Sequence, residues 1–378
     1  MKRVAIFGGT FNPVHNEHIA LARQAVKELA LDELIVMPTF ISPHKNTSPA
    51  PAEDRLNMLK LAFKDDEKIF VSDFEILKGG KSYTYQTVEH FARDKEVKLF
   101  FIVGADMLEN FKTWRFPERI LDSCDLVAFG RKDCPVDYKR ESDYFRSTFG
   151  KDFIKLSYTG EIQSSTQIRV YNSLGLDITS MTAPCVCSYI QEKGLYSGDK
   201  YTDFIKKSLP EKRRTHTAEV ILTALSKASE CGLDSEKVRI TALLHDCAKY
   251  IDHTTVSGFS LPSDVPAPVV HAFLGAFVAQ HRLGIDDEEI LDAIRYHTSG
   301  KANMSKLAKL IFVADMVEKG RDYQGVELLR EYYKGDLDEC FKKCVEEEML
   351  HLINKKTPIY GETLNAFDYY VKNQGEKQ

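Results

Sequence analysis

The sequence predicts a doubly wound α/β domain with a parallel sheet over residues 1–197, followed by an all-α domain over 198–378. Three observations carry that reading. Short apolar runs alternate with amphipathic stretches through the first half, the mark of βα units. The polar break Ser197-Gly198-Asp199 ends the strand signals. From Tyr201 onward one helical-period segment follows another.

In the first half the strand-like runs are 4–7, 34–37, 69–72, 99–103 and 126–129, and the helical stretches include 18–29, 53–63 and 85–93. Ligands on parallel sheets sit at the carboxyl ends of the strands. Gly8-Gly9-Thr10, residues 38–45, Gly104-Ala105-Asp106 and Gly130-Arg131 fall there. After the first run, two glycines let a ligand approach the backbone, and Ile19, Ala22, Val26 and Leu29 then recur at helical spacing. Strand, glycine turn and helix start leave N–H groups and a positive dipole end facing an anion. No Gly-Lys-Ser/Thr follows, so this is not a P-loop, and no third glycine completes a dinucleotide fingerprint. Instead His15 and His18 share one face of the first turn. Ser164-Ser165-Thr166-Gln167-Ile168-Arg169 opens a further helix, whose hydroxyls can cap it and donate to phosphate while Arg169 reaches back over the same end.

The second half reads as helices over 216–231, 235–248, 269–283, 288–297, 305–317, 325–333 and 337–353. His216, His245, Asp246, His271, His297 and Asp315 are spread over five successive apolar helices. Burying them without a cation would leave several unpaired groups. Nitrogen and carboxylate ligands suit iron, manganese or zinc better than magnesium. Two cations sharing Asp246 would activate water at neutral pH and hold both sides of a phosphorus centre. Of the neighbouring basic residues, Arg213 and Lys249 are better phosphate candidates than Arg214.

Composition excludes other classes. With 43% hydrophobic and 28% charged residues the chain reads as an ordinary soluble globular protein, and its net charge of −5 argues against a general nucleic-acid binder. The apolar runs are strand-sized rather than membrane-spanning. Four apolar residues between Arg3 and Gly8 are too few for a signal peptide, so a cytoplasmic protein is expected. The eight cysteines form no Cys-x-x-Cys pair and read as reduced thiols. Self-association is left open.

Two resemblances sharpen the reading. Residues 1–196 resemble the bacterial nicotinate mononucleotide adenylyltransferases of the nucleotidylyltransferase superfamily. The matching pieces are Gly8-Gly9-Thr10-Phe11-Asn12-Pro13-Val14-His15, Ser42-Pro43-His44-Lys45, Gly80-Lys81-Ser82-Tyr83-Thr84-Tyr85, Gly104-Ala105-Asp106-Met107 with Trp114, the Ser164-to-Arg169 motif, and Gly194-Leu195-Tyr196. The resemblance implies a Rossmann-like fold and transfer of AMP from ATP, with Mg²⁺, to nicotinate mononucleotide, pyrophosphate leaving. A phosphate monoester is already ionised at neutral pH, so its attack needs alignment and charge compensation rather than a base. His15, His18 and Arg169 are the implied catalytic groups. ATP is expected on Gly8, Gly9, Thr10, Phe11, His18, Gly104, Asp106, Arg131, Ser164, Ser165, Thr166, Ile168 and Arg169, and the mononucleotide on His44, Lys45, Tyr83, Thr84 and Trp114, the indole stacking on the pyridine. Glu17 stands where the family has glycine between the histidines; it would repel a triphosphate unless its side chain turns outward.

Arg213-Arg214-Thr215-His216-Thr217, His245-Asp246-Cys247-Ala248-Lys249, Arg295-Tyr296-His297-Thr298-Ser299-Gly300 and Phe312-Val313-Ala314-Asp315 resemble the HD-domain symmetrical diadenosine tetraphosphate hydrolases. That resemblance implies a di-iron centre on the six ligands named above, Asp246 and Lys249 as catalytic groups, substrate on Arg213, Lys249, Arg295 and Thr298, and two ADP as products. The alternatives are another nucleotide substrate for this half, such as a guanosine alarmone, or one half acting as a nucleotide-binding module without turnover.

Overall fold

The computed structural model describes residues 1–41, 50–132, 136–161, 163–262 and 264–372. They form two compact units: Met1–Arg169 with Asp177–Tyr196, and Val170–Leu176 with Ser197–Gln378. The division is not a single cut, because Val170, Leu174 and Leu176 are buried in the apolar core of the second unit.

The first unit is built on a six-stranded sheet of β1 (Lys2–Gly9), β2 (Glu33–Pro38), β3 (Ile69–Val71), β4 (Val97–Gly104), β5 (Asp125–Arg131) and β6 (Ile154–Gly160). The order is β3-β2-β1-β4-β5-β6, and every pairing is parallel. This is the doubly wound order expected, with the winding reversing between β1 and β4. Both central strands are continuous apolar runs because both faces are covered: residues 4–7 and 99–103 are buried. Their carboxyl ends deliver Gly8-Gly9 and Gly104 to the crevice where the winding reverses.

The sequence pattern missed β6, for a physical reason. It lies at the sheet edge and buries only Leu156 and Gly160 fully, so Lys155, Ser157 and Thr159 interrupt any apolar run. The helix Tyr138–Phe149 was also unread; of its twelve residues only Glu141 and Phe145 are buried.

The second unit is helical. Its main helices are Glu211–Ala228, Ser235–Leu244, Val270–Leu283, Glu288–Tyr296, Lys306–Val317, Val326–Tyr333 and Leu337–Asn354. Side-chain caps start several of them: Asp234 accepts from the Lys237 amide, Asp287 from Glu289, Ser305 from Ala308 and Asp336 from Asp338. Lys306–Val317 is apolar nearly all round and runs through the core, burying Leu307, Leu310, Ile311, Phe312 and Val313. Among the described residues no helix is long and apolar enough to cross a membrane, and the cysteines there are free thiols.

Candidate functional sites

In the first unit, β1 ends on a tight turn. A Cβ on Gly9 would lie 3.0 Å from the Phe11 ring, and one on Gly104 would displace the Asp106 carboxylate, so glycine is the residue that fits both positions without a shift. The helix Asn16–Glu28 follows, with His15 as its N-cap. The His15 backbone N–H donates to His18 Nδ1 at 3.3 Å, and the two imidazoles stack with centroids 3.6 Å apart. His18 also meets the Phe11 ring edge-on at 5.0 Å. Because Nδ1 accepts, the proton of neutral His18 sits on Nε2 as a donor. Burial, reinforced by the Arg131 charge, lowers the His15 pKa to about 4. Burial, then His15 and Arg131, hold His18 well below its ordinary value. The turn therefore presents two neutral, fixed imidazoles at pH 7.

The turn is clamped from several sides. Arg55, only 1% exposed, donates to the Thr10 carbonyl at 2.9 Å and the Phe40 carbonyl at 3.1 Å. Arg169 donates to the Asn12 carbonyl at 2.8 Å and the Thr166 hydroxyl at 2.9 Å, and Ser165 Oγ donates to the Pro13 carbonyl at 2.8 Å. Ser164 Oγ accepts from the Gln167 amide at 3.2 Å, capping the helix Ser165–Ser173. Glu17 turns toward β6, accepting from Tyr158 OH at 2.6 Å and the Glu161 amide at 2.8 Å. Its carboxylate is thus tethered, although it still borders the same space as His15 and Arg169.

Two cavities share Thr10, His18, Phe129 and Arg131. One, of 450 Å³, is lined by Gly8, Gly9, Tyr83, Thr84, Gly104, Asp106 and Trp114. The other, of 510 Å³, is lined by His15, Ser164, Ser165, Thr166 and Arg169. Gly104 and Asp106, expected on ATP, line the first cavity together with Gly8, Gly9, Thr10, Phe11, His18 and Arg131, and Trp114 lines it too. Ile168 is fully buried, with its amide on the Ser164 carbonyl. His44 and Lys45 lie outside the described residues.

In the second unit five helices converge. His216 lies within Glu211–Ala228, His245 closes Ser235–Leu244 with Asp246 just beyond, His271 lies in Val270–Leu283, His297 closes Glu288–Tyr296 and Asp315 lies in Lys306–Val317. Asp246 sits at the centre. Its Oδ1 is 3.1 Å from His271 Nε2 and 3.5 Å from His297 Nε2; its Oδ2 is 3.7 Å from His245 Nε2 and 4.0 Å from His216 Nε2. Asp315 Oδ1 is 3.0 Å from His216 Nε2.

The outer nitrogens explain the fit to a cation. His245 Nδ1 lies 2.6 Å from the Ala242 carbonyl and His297 Nδ1 2.7 Å from the Ile294 carbonyl, while His216 Nδ1 lies 3.0 Å from Glu318 Oε1. Each contact places the proton on Nδ1 and turns an Nε2 lone pair inward. Two pairs of Nε2 atoms then face each other, at 3.4 Å for His216 and His245 and 3.3 Å for His271 and His297. Imidazole nitrogens this close to one another need a proton or a cation between them, so this donor set fits metal ions. Three overlapping triads have ligand atoms within 4.8 Å of one another: His216, His245 and Asp246; His245, His297 and Asp315; Asp246, His271 and His297.

Electrostatics agree with a cation site. Burial would raise the Asp246 and Asp315 pKa values, but their imidazole partners, joined by Arg321 at Asp315, hold both well below the carboxylate range. Burial lowers His245 to about 4. Of the predicted substrate groups, Arg213 donates to Asp246 Oδ2 at 2.9 Å, Lys249 Nζ is 3.0 Å from His271 Nε2, and Thr298 Oγ1 is 3.0 Å from His297 Nε2. Arg295 pairs instead with Asp292 at 4.0 Å. Arg214 donates to the Leu174 carbonyl at 2.6 Å. Sequence reasoning missed Glu318 and Arg321, which back His216 and Asp315; the signal was Glu318, one helical turn after Asp315.

An anion crevice at the switch point of a parallel sheet, joined in one chain to a helical His/Asp cluster, defines a nucleotidyltransferase fused to a metal-dependent phosphohydrolase. Comparison with known proteins agrees. Residues 6–170 match the cytidylyltransferase-like family and residues 213–320 the HD domain family. A probable nicotinate-nucleotide adenylyltransferase of Clostridium tetani is 37% identical over 52% of this chain and all of its own length. A symmetrical bis(5'-nucleosyl)-tetraphosphatase of Bacillus subtilis is 35% identical over 44% of this chain and 94% of its own. The chain belongs to the nicotinate-nucleotide adenylyltransferase family through its first half and to the symmetrical bis(5'-nucleosyl)-tetraphosphatase family through its second. The same fusion occurs in a probable nicotinate-nucleotide adenylyltransferase/Ap4A hydrolase of Mycoplasma genitalium, 27% identical over 86% of this chain and 91% of that one.

Proposed function

We propose that the chain is a bifunctional cytoplasmic enzyme: it transfers AMP from ATP to nicotinate mononucleotide, giving nicotinate adenine dinucleotide and pyrophosphate, and it hydrolyses diadenosine tetraphosphate symmetrically to two ADP. The observation that carries the first activity is the pair of cavities meeting at Thr10, His18 and Arg131. The triphosphate occupies the side with His15, Ser164, Ser165, Thr166 and Arg169; the mononucleotide occupies the side with Tyr83, Thr84, Asp106 and Trp114, the indole against its ring. The α-phosphorus then lies at the shared edge. There His18 Nε2–H and Arg131 donate to the charge that develops, and the fixed turn holds nucleophile and leaving group in line. Mg²⁺ enters with ATP.

The second activity rests on the four Nε2 atoms that converge on Asp246. His216, His245, Asp246, His271, His297 and Asp315 would hold two metal ions, iron first among the candidates. Bound there, the metals supply Lewis acidity and a nucleophile at neutral pH. The chain's own groups hold the polyphosphate: Arg213 and Lys249 flank Asp246 from opposite oxygens, with Thr298 beside His297.

Product analysis on the metal-loaded full chain tests both. Nicotinate adenine dinucleotide plus pyrophosphate from the first pair of substrates, and ADP as sole product of diadenosine tetraphosphate, support the reading. Faster turnover of a guanosine alarmone, or AMP plus ATP as products, overturns the second half of it.

A further inference from the structure

Two cavities reach the metal-ligand cluster of the second unit. One, of 690 Å³, reaches the ligands His297 and Asp315 and extends past Tyr323 and Gln324 to Glu348 and His351. The other, of 490 Å³, reaches the ligand His216 and extends past Lys212 and Arg213 to Tyr250. Arg321 lines both. Each volume is within the range of a site for one nucleotide-sized ligand. Each cavity also carries one exposed tyrosine: Tyr250 is 61% and Tyr323 37% exposed.

We infer that the two nucleoside diphosphate halves of the second unit's substrate occupy these two cavities separately, one base on Tyr250 and the other on Tyr323, with Arg321 under the central anhydride. The inference rests on the hydrolytic activity proposed above and adds where each half binds. Two features support it. Arg321 is held in place, its Nε donating to the Asp315 carbonyl at 2.7 Å and its guanidinium also pairing with the Asp315 carboxylate. A planar guanidinium fixed between two cavities is suited to bridging phosphates. Tyr323 is oriented by its hydroxyl, which donates to the Met316 carbonyl at 2.9 Å, leaving the ring as a platform. A base stacks on an aromatic face without needing a matched hydrogen-bond pattern. Symmetric cleavage follows from the arrangement: when each half fills its own cavity, the bond presented to the cluster is the middle one. Water adds to one central phosphorus and the bridging oxygen leaves with the other, so each ADP gains one new terminal hydroxyl, and ionisation of the two releases two protons to solvent.

The test is the initial rate of diadenosine tetraphosphate hydrolysis by the metal-loaded full chain at rising ADP. Two product sites make the reciprocal rate curve upward with ADP concentration, through a squared as well as a linear dependence. Tyr250→Ala and Tyr323→Ala should each raise KM for diadenosine tetraphosphate roughly tenfold. Tyr250→Phe and Tyr323→Phe should stay near the parent value, since they keep the ring. Unchanged metal content in each variant shows that the cluster is still assembled. A linear ADP dependence, or a KM effect at only one tyrosine, overturns the two-cavity arrangement while leaving the activity standing. Absence of ADP formation by the parent chain overturns the activity and this inference with it.

Discussion

The two sites handle the same group, phosphate, by opposite means. The crevice of the first unit is local in sequence: one strand end, one turn and two histidines three residues apart, stacked and neutral. Its helix-terminal amides and hydroxyls belong to structure that forms whether or not a ligand binds. The cluster of the second unit is non-local, assembled from five helices, and it gathers four imidazoles and two carboxylates where burial opposes charge. The first site is therefore a preformed dipole array whose members can be removed one at a time. The second is a charge-balanced set whose ligands depend on a cation and on one another.

That contrast can be broken by substitution. The largest effect is expected at Asp246, which stands within 4.0 Å of all four histidines. Asp246→Ala should empty the site by metal analysis and lower diadenosine tetraphosphate hydrolysis by roughly a thousandfold or more, with adenylyl transfer within twofold of the parent. Retained metal would disprove the ligand assignment. Next is His18→Ala, which removes one neutral donor from an otherwise intact array. Adenylyl transfer should fall by roughly a hundredfold to a thousandfold, with hydrolysis unaffected. Equal loss of both activities would show that the two sites are not independent. Smaller again is Trp114→Ala. Loss of one aromatic platform should raise KM for nicotinate mononucleotide about tenfold while that for ATP moves less. The reverse order would put the indole on the adenine side.

The same contrast explains what could be read from sequence. The central strands β1 and β4 were legible because burial on both faces forces unbroken apolar runs. The six clustered histidines and aspartates were legible because those residues are conspicuous in apolar helices. Their supports were not. Glu318 and Arg321 look like ordinary helix-end charges, yet one orients His216 and the other holds Asp315. Arg55 sits in a charged helical stretch and reads as surface, but its guanidinium is sunk beneath the Thr10 turn. Only a folded chain brings residues 45 positions apart into contact. Glu17 is the mixed case: its type and place were plain, and repulsion or an outward turn were the options. The partners that tether it, Tyr158 and Glu161, belong to and follow β6, the strand the pattern missed.

The last effect concerns protons and separates a neutral array from a charged one. His15 is 5% exposed, and burial with the Arg131 charge lowers its pKa from 6.5 to about 4. The folded first unit therefore resists a proton that the unfolded chain accepts. The sign follows: the stability tied to neutral His15 is fully present above pH 6.5 and is lost as pH falls from 6.5 toward 4. His18 is shifted in the same direction. Linkage puts the loss from His15 alone on the order of 2 kcal/mol by about pH 5. Trp114 is the only tryptophan in the chain and belongs to the first unit, so its fluorescence during denaturant unfolding reports that unit. The parent chain should lose more stability between about pH 7 and about pH 5 than His15→Asn does, because asparagine takes up no proton in this range. ATP with Mg²⁺ should shrink the difference, since a polyphosphate beside the imidazoles favours their charged forms. Equal pH slopes for parent and variant would mean that His15 takes up its proton alike in the folded and the unfolded chain, and the crevice would then not hold it neutral below pH 6.5.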